Sequence, residues 1–145
     1  MEVKEILAPK NMLIVLGTIV ITMSLWGMTH GDEWAEIGWG EDNVLAHDEA
    51  YEEMWALHLM PLGVMAIVTA LVVTGKELAK VAMLSPLVLV NMIGGMLILT
   101  SDNGYGGTPT GVSAALAGLM MLATVLTCVS GFMHKDGESE TEAVE

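Results

Sequence analysis

The chain has 145 residues, 53% of them hydrophobic, and 18 Asp and Glu stand against 5 Lys. A net charge of −13 excludes nucleic acid as a partner, which needs a basic surface. Mean hydropathy of +0.59 lies well above that of soluble domains, and the length allows one domain.

Residues 12–29, 54–74, 81–100 and 111–133 form four apolar runs without Asp, Glu, Lys or Arg. Each is close to the roughly 20 residues a helix needs to cross a hydrocarbon core of about 30 Å. The expected fold is all-α: a single domain over 1–135, built as an antiparallel bundle of four transmembrane helices. No A-x-A cleavage pattern follows the first run, which reads as a retained anchor helix. Lys4 and Lys10 precede the first run, Lys76 and Lys80 lie between the second and third, and Lys135 follows the fourth. The positive-inside rule then expects both termini and the turn at 75–80 in the cytoplasm, with 30–53 and 101–110 outside. The expected location is the cell membrane.

Trp26, Trp34, Trp39, Tyr51, Trp55 and Tyr105 all fall near the outer side. Belts form at both interfaces, so this one-sided supply points to packing of the first loop on the bundle. Gly31, Gly38 and Gly40 read as turns in that loop. Beyond them Val44, His47, Tyr51, Met54, His58, Pro61 and Met65 recur every three or four residues, the spacing of one helix face. The second span is expected to begin near Val44, with a helical extension over about 44–53. That stripe is expected to face the bundle, leaving Glu49, Glu52 and Glu53 on the exposed flank.

Lipid gives helices no hydrophobic reason to associate, so small residues and polar contacts must do it. Thr18 and Thr22, Gly94 and Gly95, and Ser113, Ala114, Ala117 and Gly118 are the expected contact residues. Pro61 and Pro86 are expected to kink their helices. Asn91 sits near the middle of the third run, where an amide needs a partner on a neighbouring helix. The 13 methionines read as adaptable packing. Asn103-Gly104-Tyr105-Gly106 matches part of the potassium-channel filter TVGYG but lacks the preceding Thr-Val carbonyls and the pore helix, so it reads as a turn. The acidic tail at 136–145 is expected to be disordered.

With no charge inside the spans, an ion-coupled pump or transporter is not expected. Cys128 is the single cysteine, so neither an intrachain disulfide nor a thiolate cluster can form. The leading reading is a non-enzymatic accessory or scaffold subunit in the bilayer, as a homo-oligomer or beside other membrane subunits. The second is a metal- or haem-binding protein. His30 and His58 would lie at similar depth, as axial ligands to a haem or as ligands to a divalent ion with Glu52 and Glu53. Neither H-E-x-x-H nor C-x-x-C-H is present, and no cofactor is assigned. A third reading is a passive small-molecule channel or permease.

Overall fold

A computed structural model of the chain describes residues 3–100 and 102–136. All but Asp136 of the expected acidic tail lies outside them. The described residues hold seven α-helices and no strand: α1 (Val3–Ile6), α2 (Pro9–Thr29), α3 (Gly31–Trp39), α4 (Asp48–Val72), α5 (Gly75–Leu84), α6 (Pro86–Thr100) and α7 (Gly111–His134). Four stretches are long and apolar enough to cross a membrane: Pro9–Thr29, Asp48–Val72, Gly75–Ile98 and Gly111–His134. The third is the α5–α6 pair.

Local chemistry sets the boundaries. Pro9 opens α2 at a position where its missing N–H is no loss. His30, at φ −140°, breaks α2 from α3. The Asp48 carboxylate accepts the Leu45 N–H at 2.8 Å, which uses residues 45–48 as a turn. Helix α4 therefore starts at Asp48 rather than near Val44. It runs through Pro61 without interruption. Pro86, in contrast, separates α5 from α6 after Ser85, whose hydroxyl donates to the Thr124 carbonyl at 3.3 Å. Span three begins six residues before its apolar run because α5 is two-sided. Leu78, Ala79 and Ala82 are buried, while Lys76, Glu77 and Lys80 stay exposed.

The main packing is α4 on α2, with α7 against α2 and α5. The α2–α4 seam is built from small residues seven apart. A Cβ on Gly17 would lie 2.6 Å from the Gly63 carbonyl oxygen, and one on Gly63 would lie 2.7 Å from that of Gly17. Seven residues on, Ser24 donates to the Ala56 carbonyl at 2.6 Å. Seven further, Gly31 rests on the Glu49 backbone. On α7, Gly131 plays the same part against Ala79 and Met83 of α5.

Several expected contacts are replaced by these. Gly94, Gly95 and Gly118 face open space. Thr18 and Thr22 are exposed, and their hydroxyls bond carbonyls of their own helix. The stripe through Tyr51, Met54, His58 and Met65 is exposed, and α4 turns Asp48, Glu52, Ala56, Leu59, Gly63 and Ala70 inward. The reason is the solvent: large side chains suit lipid, whereas close helix approach needs small ones.

Span three is the least covered, with 6% of its apolar window buried against 22–28% in the other three. None of the described α6 side chains is buried.

Candidate functional site at the loop end of the bundle

The end of the bundle away from the lysines is capped by α3 and by the segment 102–110. Asp32 and Glu33 lie in the first turn of α3, where the helix dipole favours negative charge. Its inner face holds Gly31, Ala35 and Gly38, all buried. Gly31 and Gly38, expected as turns, are points of close approach. Gly38 lies directly beneath the Tyr105 ring, too close for any side chain. The Gly106 N–H donates to the Gly38 carbonyl at 2.7 Å, and Gly107 abuts the Ile37 carbonyl. These contacts fix Tyr105, whose ring also meets Trp39 edge-on at 4.9 Å. The glycines at 104 and 106 have positive φ (75° and 124°), so this path favours glycine at both positions.

Held there, the Tyr105 hydroxyl donates to Glu52 Oε1 at 2.6 Å. Glu52 is only 6% exposed, not on the outer flank. It lies in the second turn of α4, ahead of the apolar run that opens at Met54. The Tyr105 phenol is raised by burial and by Glu52. A second bond ties α3 to α7: the Ser113 hydroxyl donates to Glu33 Oε1 at 2.7 Å. The Trp26 and Trp34 indole nitrogens are buried and have no partner among the described residues.

Two cavities lie one below the other beneath this end. The upper one, of about 160 Å³, is walled by Trp34, Trp55, Tyr105, Glu52 and Ser113. The lower, of about 340 Å³, lies between α2, α4 and the α5–α6–α7 side and is lined almost wholly by apolar side chains, among them Met65, Met92 and Met120. Met23 lines both, so the two adjoin at its side chain.

The histidines and carboxylates singled out from sequence are spread around this cap. His30 stacks on Trp26 at 3.6 Å, and its Nδ1 lies 3.1 Å from the Trp26 carbonyl and 2.9 Å from the Thr29 hydroxyl. His58 is exposed, with Nδ1 on the Met54 carbonyl. A carbonyl only accepts, so each Nδ1 serves as the donor and each Nε2 is left as the acceptor. Glu52 turns to Tyr105, while Glu53 lies over Gly31. Among the described residues no three of His, Cys, Asp and Glu converge to hold a metal ion. Asn91 is exposed on α6, and its amide side chain has no hydrogen-bond partner among the described residues.

Sequence reasoning did not pick out Glu33, Trp34 and Ser113 as a group. A signal was present: Gly17, Ser24, Gly31 and Gly38 repeat every seven residues and mark the close-packed face that carries α3 onto Tyr105. No family model, curated protein or solved structure matches this chain.

Proposed function

We propose that the protein is a non-enzymatic subunit of the cell membrane, with both termini in the cytoplasm, that assembles with copies of itself through its third span. Asn91 carries the reading. Its amide sits within a span, near the middle of the apolar run 81–100, exposed on the least covered helix. In lipid such a group has no water to bond, so a neighbouring helix must supply its partner. An amide both donates and accepts, so the same residue of a second copy, at the same depth, satisfies it. The surrounding face fits helix contact. Leu87, Asn91, Gly94 and Ile98 follow at intervals of four, three and four, and Gly94 leaves room for a close approach. The orientation rests on the lysines, all at one end, and the acidic cap at the other.

Oxidative cross-linking in native membranes tests this. On a Cys128→Ser background, Asn91→Cys and Gly94→Cys should give a cross-linked dimer. Met92→Cys, which faces the lower cavity, should not. Absence of any cross-link, or equal yield around the helix, rules out self-assembly through this face.

A further inference from the structure

The two cavities that adjoin at Met23 have the form of a site for an amphiphile. The upper one sets a carboxylate among three aromatic rings: Glu52, Trp34, Trp55 and Tyr105. Glu52 is more than nine-tenths buried, and only its Oε1 is engaged, by Tyr105. Aromatic faces attract cations through the ring quadrupole, and a buried carboxylate needs a positive partner. The lower cavity offers the opposite chemistry, with Met23 at the junction and apolar walls below. No Lys or Arg lies at this end of the chain, so nothing there matches an anionic phosphate.

We propose that the paired cavities bind an amphipathic organic cation, its ammonium group held by Glu52 and the Trp34, Trp55 and Tyr105 rings and its alkyl chain running past Met23 into the apolar cavity. A free alkylammonium fits this description, whereas a zwitterionic lipid headgroup brings a phosphate into an acidic surround. The inference goes beyond self-assembly, since the cavities line the inner face of α6 and Asn91 is exposed on that helix.

The test is a titration of the full-length protein in neutral maltoside micelles, followed by tryptophan emission and calorimetry. The probes are tetramethylammonium, hexyltrimethylammonium, decyltrimethylammonium and dodecylphosphocholine. Binding should be saturable for the three cations and tighten with chain length, by up to roughly fourfold per methylene buried. Glu52→Gln should weaken all three by about tenfold or more, the loss of a contact to a charged group. Met23→Phe narrows the junction and should abolish the gain in affinity from tetramethylammonium to decyltrimethylammonium. Micelle partitioning is common to the variants and does not separate them. Equal affinities in wild type and Glu52→Gln would overturn the proposal. So would dodecylphosphocholine binding as tightly as decyltrimethylammonium, which would make the site one for lipid headgroups. A chain-length dependence unchanged in Met23→Phe would overturn the assignment of the lower cavity to the tail.

Discussion

Replacing Gly17 with alanine puts a methyl carbon 2.6 Å from the Gly63 carbonyl oxygen and 2.7 Å from Ile67 Cγ1. The Ile67 side chain can turn aside, but the carbonyl belongs to the α4 backbone and cannot. Carbon–oxygen contacts between helices rest at about 3.3–3.6 Å, so the seam must open by ~0.7–1.0 Å there. Ser24 and Ala56, two turns along, then lose their 2.6 Å hydrogen bond geometry. Overpacking of this kind costs about 1–3 kcal/mol. Alanine's better helix propensity offsets about 0.8–1.0 kcal/mol. Gly17→Ala should therefore destabilise by up to about 2 kcal/mol. Gly118→Ala makes the same chemical change where a Cβ meets nothing within 4 Å. Only the propensity term acts there, so it should stabilise by about 0.8–1.0 kcal/mol. The two variants should part by about 1–3 kcal/mol, with opposite signs. Gly63→Ala should resemble Gly17→Ala, and the double variant should cost less than the sum, because one opening of the seam accommodates both methyls. Circular dichroism across a dodecyl sulfate titration in mixed micelles reads all four. If Gly17→Ala stabilises as much as Gly118→Ala, the close-packed seam is refuted.

Tyr105→Phe leaves the buried Glu52 carboxylate without its donor and should destabilise the folded state by about 1–3 kcal/mol, measured by the same titration. For the orientation, cysteine at Glu41 or Thr108 on a Cys128→Ser background should react with an impermeant maleimide added to intact cells, and cysteine at Glu77 should not. Gly107 is unsuitable for such a label because any side chain there meets the Ile37 carbonyl. The reverse pattern of labelling inverts the topology.

The four spans were legible in the sequence because length and hydropathy are local: about 20 apolar residues without charge form a helix in lipid whatever surrounds them. Pro61 and Pro86 each remove a backbone donor locally, yet Pro86 separates two helices while Pro61 stays inside α4. Lysine placement marks one end of the bundle in the same local way. Which face turns inward was not legible. The stripe through Tyr51, Met54 and His58 has helical spacing, but those residues are exposed and small residues meet inside. The glycines divide on the same ground. Gly17, Gly63 and Gly131 touch backbone of another helix, while Gly94, Gly95 and Gly118 touch nothing. Only tertiary structure could distinguish them, because a glycine's role depends on what stands opposite it. The cap depends on it even more. Glu52 meets Tyr105 across 53 residues and Glu33 meets Ser113 across 80, and no periodicity within one helix encodes such pairs. They arise because α3 folds back over α4 and the glycine-rich segment 104–107 lies against it, burying a carboxylate that its own helix would otherwise leave in water.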